Sequence, residues 1–246
     1  MIRHIKSNKI AGAIKEALAV LKTTKIRFYV VGSLLCHHYL KDHTRYTKDI
    51  DIIFDDEFEN IKDELTKVFG KIDFFQEEEN ELFYEPSFTA FIEINGERAQ
   101  IEGKRIKFFN EVEIDSYEID GVSFKGARIE YVIAEKLVSL LCELARPYKH
   151  LVDIYSFTQI DQSLINYKEI SKYMNLINKQ ENEYRRRIGL KEFKFDKEIL
   201  KTKSFSGPVI TPTLQSKYNI SKEEMIDEIN RWLSLSHICD KDSDNI

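Results

Sequence analysis

No apolar run in this 246-residue sequence approaches the roughly 18 residues that span a bilayer as a helix, so no membrane partner is expected. Cysteine is scarce. Cys36, Cys142 and Cys239 are far apart and odd in number, and no zinc or redox spacing is present. Cys36 and Cys142 fall inside apolar helical patterns, which predicts buried free thiols. Positive charge is not in excess either. A net charge of −5 argues against broad, non-specific coating of nucleic acid, although a local basic patch is compatible with it. The opening stretch MIRHIKSNKIAGAIKEALAVL is interrupted by Lys and Glu and lacks the apolar core and cleavage site of a secretory signal, so a cytoplasmic location is expected. Repeats and low-complexity segments are absent. What remains is a globular composition, 42% hydrophobic and 32% charged, long enough for one large or two small domains.

The stretch Phe28 to Phe54, FYVVGSLLCHHYLKDHTRYTKDIDIIF, organises the chain. Phe28 to Val31 is a β-branched and aromatic run that Gly32-Ser33 breaks. Leu34 to Leu40 reads as a helix. Ile50, Ile52 and Phe54 then alternate with Asp49, Asp51 and Asp55, so a strand here puts the carboxylates on one face and the apolar side chains on the other. Two like charges that close repel and raise each other's pKa. A hard cation relieves this, because Mg2+ favours carboxylate oxygens together with substrate phosphates. The Gly32-Ser33 turn before a helix supplies the complementary half: its N–H groups and the helix dipole suit a phosphate. The two halves predict a nucleoside triphosphate held between a turn and a metal.

Strand, Gly-Ser, short helix and Arg45-x-Thr47-x-Asp49-x-Asp51, in that order, resemble the nucleotidyltransferase superfamily, the fold of DNA polymerase beta and of the aminoglycoside nucleotidyltransferases. The resemblance implies that Gly32 and Ser33 bind the triphosphate and that Asp49 and Asp51 bind Mg2+. Val31 stands where that family usually has a first glycine. It further implies a third carboxylate from a neighbouring strand, for which Glu93 and Glu102 are the candidates. His37, His38 and His43 are read as helix and loop residues rather than metal ligands.

Elsewhere the periodicities predict a helix over 8–22, a helix over Glu57–Phe69 with Gly70 as its cap, and strand material at 72–75 and 83–84. Strands follow at 88–94 and 98–101 around an Asn95-Gly96 hairpin turn, then at 106–109, 112–119 and 122–124, with a turn at Asp120-Gly121. The acidic run Glu77-Glu78-Glu79-Asn80-Glu81 reads as a solvated loop.

From Ala127 the pattern becomes helical. Lys136 sits in an apolar stripe with Ile133, Leu137, Leu140 and Leu141, where a lysine either snorkels to water or meets an anion. Asp153, between Val152 and Ile154 at the start of a further helix, wants a cation or a helix N-terminus nearby. Ala134-Glu135-Lys136-Leu137, followed by Lys149-x-Leu151-x-Asp153-Ile154-Tyr155, resembles the AbiEii-type toxin branch of the superfamily. In that branch the lysine contacts triphosphate and the aspartate supports the active site. The motifs span Gly32 to Tyr155, about half of the chain. Arg185-Arg186-Arg187 reads as a solvated helix end or as a contact for RNA phosphates, 203–218 as a loop, and Ser221 to Glu224 as a capping box opening a helix to Leu235.

The expectation is therefore an α/β (α+β) protein. A nucleotidyltransferase catalytic domain with a small mixed sheet flanked by helices would cover residues 1–125. A helical domain over 126–246 would complete the active-site cleft. Asp49, Asp51, Lys136 and Asp153 would be catalytic, with Gly32, Ser33 and Lys136 binding nucleotide. The enzyme would be Mg2+-dependent and use a nucleoside triphosphate. Its acceptor would be RNA, such as tRNA, or a small molecule, and the resemblance adds a protein antitoxin as partner. A monomer is the default. The alternatives are an aminoglycoside-type antibiotic nucleotidyltransferase and a non-catalytic interaction module with a degenerate site.

Overall fold

The computed structural model describes residues 2–5, 10–40, 46–77, 86–141, 148–195 and 220–235, without the side chains of 77, 148 and 149. Several expectations lie outside the described residues: Arg45, His43, Cys142, Cys239, the side chain of Lys149, most of the acidic run, the strand at 83–84 and the loop at 203–218. The chain forms two compact units, Met1–Arg128 and Ile129–Ile246. No helix among the described residues is long and apolar enough to cross a membrane.

The first unit is built on an eight-stranded mixed sheet. Its strands are β1 (Ile2–Ile5), β2 (Phe28–Val31), β3 (Asp49–Phe54), β4 (Asp73–Glu77), β5 (Ser87–Ile94), β6 (Glu97–Arg105), β7 (Ile114–Ile119) and β8 (Val122–Ala127). They lie in the order β1-β7-β8-β2-β3-β6-β5-β4. The pairs β1–β7, β2–β8 and β3–β6 are parallel and the others antiparallel. Both tight hairpins turn where expected. Asn95 and Gly96 have φ of 53° and 80°, and Asp120 and Gly121 have 45° and 84°, the left-handed pairs that follow the twist of the strands.

Alternation makes this sheet two-faced. Val30, Ile50, Ile52, Phe54, Phe88, Ala90, Ala99, Ile101, Tyr117 and Phe124 are buried, whereas Asp49, Asp51, Thr89, Phe91, Gln100 and Glu102 on the opposite face are partly or fully exposed. Helices α1 (Gly12–Leu21), α2 (Ser33–Tyr39) and α3 (Phe58–Phe69) cover the apolar face. Phe58 packs on Phe54, and the space above Gly126 is filled by Leu35 and Tyr117. The carboxylates of β3 thus project from the face that these helices leave open.

Two sequence readings need correction. Residues 106–109 are not a strand. They form a turn into a 3-10 segment, Phe109–Glu111, and their apolar side chains are buried by packing, with Phe109 stacked on Tyr29 at 4.5 Å. Three apolar residues interrupted by Lys107 cannot by themselves distinguish a strand from a buried turn. The N-terminal residues supply a strand, β1, that pairs in parallel with β7 and that no local signal announced.

The second unit is helical: α4 (Ile129–Leu141), α5 (Tyr148–Thr158), α6 (Tyr167–Arg187) and α7 (Lys222–Leu235), with α4 against α5 and α6 and α5 against α7. The capping box at the start of α7 is present. Ser221 N–H donates to Glu224 Oε2 at 2.7 Å, and Glu224 N–H donates to Ser221 Oγ at 3.2 Å. Asn166 caps α6 through Lys168 N–H at 3.2 Å, and its own N–H donates to the buried Glu130 of α4 at 3.1 Å. Asn166→Ala leaves an amide of the first turn without its acceptor. It is expected to lower stability by about 1 kcal/mol in urea unfolding, with Asn166→Asp recovering most of the loss.

Candidate active site

Parity and register bring together most of the residues singled out in the first unit. Val31 of β2 is paired with Asp51 of β3, so the chain leaves β2 at Gly32 directly beside Asp51. Gly32 has φ 72° and ψ −148°, a region only glycine occupies readily. A Cβ at Gly32 would lie 2.0 Å from Asp51 Oδ2 and 2.8 Å from Asp51 Cβ. The carboxylate therefore fills the place of the missing side chain. Ser33 N–H, expected to be open to a phosphate, points at Asp51 Oδ2 at 3.4 Å. The helix it begins has only seven residues, so its dipole is small. The Ser33 side chain is then the donor that this residue can direct at an anion.

Asp49 lies two residues before Asp51 on the same face of β3. In the parallel register with β6, Asp49 faces Gln100 and Asp51 faces Glu102. Residues paired in register share a face, so Glu102 stands one strand from Asp51, and Gln100 Nε2 donates to Glu102 Oε1. Glu93 is on β5, paired with Arg98, two strands from β3 and about 10 Å away at ordinary strand spacing. Of the two candidates for a third carboxylate, only Glu102 adjoins the pair. Among the described residues no three Asp, Glu, His or Cys side chains group closely enough to hold a metal by themselves. The donor set nonetheless suits a hard cation: oxygen ligands on one open face, with further ligands left to water and phosphate.

Thr47 has the parity of Asp49 and Asp51. Its Oγ1 lies 3.3 Å from Ser33 Oγ and 3.0 Å from His37 Nε2. This link was missed in the sequence, although the shared parity of Thr47 with the two aspartates was visible there. His38 takes no part in it. It meets the His4 carbonyl at 2.9 Å and packs against Tyr39 and Tyr117, and burial lowers its pKa below the usual histidine value. Cys36 is a buried thiol that donates to the Gly32 carbonyl at 3.5 Å.

In the second unit Lys136 and Asp153 form an ion pair at 2.7 Å, 4% and 1% exposed. The anion that Lys136 meets is thus Asp153, which lies within α5 rather than at its start. The basic cluster is not an open phosphate contact in its first member. Arg185 is buried, donating to the Lys191 carbonyl at 2.7 Å and pairing with Glu181 at 3.4 Å. Burial raises the pKa of Glu181 against the opposing pull of this arginine. Arg186 pairs with Glu192 at 2.9 Å.

No protein-family model matches the chain, and no curated protein matches it by sequence. Several solved structures are similar in shape at low sequence identity. A candidate nucleotidyltransferase from H. pylori is 14% identical over 95% of this chain and 96% of its own, with a TM-score of 0.47. An antigenic nucleotidyltransferase-like protein from Paracoccidioides brasiliensis is 15% identical over 76% and 95%, with a TM-score of 0.45. The antibiotic-resistance factor ANT(2'')-Ia is 14% identical over 72% and 95%, with a TM-score of 0.45.

Proposed function

We propose that the chain is a nucleotidyltransferase that moves a nucleoside monophosphate from a nucleoside triphosphate to a hydroxyl. The observation that carries this reading is the fit of Asp51 into the space over Gly32, with Asp49 on the same open face. A turn suited to phosphate and a carboxylate pair suited to a hard cation are in contact. That is what joining a triphosphate to a metal requires.

Asp49 and Asp51 would hold Mg2+, which supplies positive charge against that developing on the triphosphate. Ser33 would donate its hydroxyl to a phosphate oxygen, and Gly32, having no side chain, leaves room for Asp51 against the turn that carries this donor. Glu102, in register with Asp51 on the neighbouring strand, would add negative charge beside the pair. The acceptor oxygen would bond to the α-phosphorus as the bond to the leaving pyrophosphate breaks, and the hydroxyl proton would pass to a base, for which Asp51 is the candidate among the carboxylates. RNA remains one acceptor class and a small hydroxylated molecule the other. Arg185 is buried and paired with Glu181, so Arg186 and Arg187, both exposed, are the members of the basic cluster left for an RNA acceptor.

The test is incubation of the protein with each labelled nucleoside triphosphate, Mg2+ and either total cellular RNA or a panel of aminoglycosides. Label is expected in one acceptor pool and not the other. Calorimetry with Mg2+ and the preferred nucleotide should show binding that Asp49→Ala weakens by about tenfold or more, as expected when one of two charged ligands is lost. Absence of label from both pools, together with indistinguishable calorimetry of wild type and Asp49→Ala, leaves the non-catalytic module as the correct reading.

A further inference from the structure

A chain of hydrogen bonds runs from the middle of α2 to the bend. His37 Nε2 is 3.0 Å from Thr47 Oγ1, and Thr47 Oγ1 is 3.3 Å from Ser33 Oγ. His37 and Thr47 are 6% and 3% exposed, so bulk water does not readily compete for these contacts.

Each hydroxyl has one proton and two lone pairs, so the chain has a direction. With the ring proton on Nε2, His37 donates to Thr47, Thr47 donates to Ser33, and the Ser33 proton is left to point outward. With Nε2 bare, every bond reverses. Thr47 donates to His37, Ser33 donates to Thr47, and Ser33 offers only lone pairs to whatever approaches. The first arrangement attracts a phosphate oxygen and the second repels it. Because Ser33 N–H is turned on Asp51 Oδ2, the hydroxyl proton decides whether this residue attracts an anion.

We propose that His37, acting through Thr47, is a positioning residue that fixes the Ser33 hydroxyl as a donor to the triphosphate. The proposal rests on the nucleotidyltransferase reading above and names how its phosphate seat is set. The ring proton of His37 resides on Nε2, the tautomer that sends the Ser33 proton toward the ligand.

Two measurements test it. In protein labelled with 15N in its six histidine rings, the His37 signals are identified by their loss in His37→Phe, and the Nε2-protonated pattern is expected. In transfer kinetics, Thr47→Val removes both hydrogen bonds. It is expected to raise the KM for the nucleotide about tenfold, the loss of one hydrogen bond to a charged group, with kcat little changed and Thr47→Ser restoring the wild-type value. In a Ser33→Ala background Thr47→Val should add nothing, because its effect passes through Ser33. An Nδ1-protonated ring, or a full additional Thr47→Val effect in the Ser33→Ala background, overturns the proposal while leaving the transferase reading intact. A wild-type protein that binds and transfers no nucleotide overturns both. Should Thr47→Val fail to fold, the tautomer measured on the wild type decides alone.

Discussion

Gly32→Ala is expected to abolish nucleotide transfer and to destabilise the first unit at the same time. The added Cβ would lie 2.0 Å from Asp51 Oδ2, well inside van der Waals contact, and the neighbouring Asp51 Cγ and Cβ atoms at 2.7 and 2.8 Å leave no room for a small rotation to relieve it. The backbone at φ 72° and ψ −148° adds its own strain for any residue with a side chain, about 1–3 kcal/mol. Asp51 must move, and with it the carboxylate facing the bend. A preorganised charged group displaced from its place costs roughly 100- to 1,000-fold in turnover when it stabilises developing charge, and Gly32→Ala is expected at the upper end of that range. Steady-state transfer and urea unfolding measure the two effects. Asp51→Gly separates them. In that background the added alanine meets no carboxylate, so its stability cost falls to the backbone part, while activity stays lost. Retention of transfer within about tenfold in Gly32→Ala means that the contact with Asp51 is not part of the chemistry.

Asp153→Ala carries the largest expected loss of stability. It leaves the ammonium of Lys136, 4% exposed, without the carboxylate that meets it at 2.7 Å. Removing one partner of a buried pair typically costs about 3–5 kcal/mol, because the remaining charge stays desolvated. Replacing both partners by apolar residues of similar volume removes the desolvation problem along with the attraction. Lys136→Met/Asp153→Leu is therefore expected to recover most of the loss in chemical unfolding. A cost below about 1 kcal/mol for Asp153→Ala would show that the lysine finds water or another anion instead. The folded double variant also separates two roles. If the pair serves packing alone, nucleotide affinity is unchanged. The triphosphate contact that the sequence resemblance implies for Lys136 requires that affinity to fall.

The parts of this protein written in its sequence are those governed by short-range chemistry. Phe28–Val31, the turn at Gly32 and the strand Asp49–Phe54 lie where a β-branched run, a breaker and a period-two pattern put them. The hairpins at Asn95-Gly96 and Asp120-Gly121 follow from residues that accept positive φ, and the α7 cap follows from a serine three residues before a glutamate. Alternation alone also determined that Asp49 and Asp51 share a face. Long-range pairing decided the rest. Which glutamate adjoins the aspartates depends on the β3–β6 register, and a register joins segments about fifty residues apart that carry no local mark of each other. The parallel docking of β1 on β7, the collapse of 106–109 into a buried turn, the pairing of Lys136 with Asp153 and the reach of His37 to Thr47 are of the same kind. In each, the side chain's own propensity allows several partners, and only the packed fold selects one by bringing it within hydrogen-bonding or van der Waals distance and excluding water from the others.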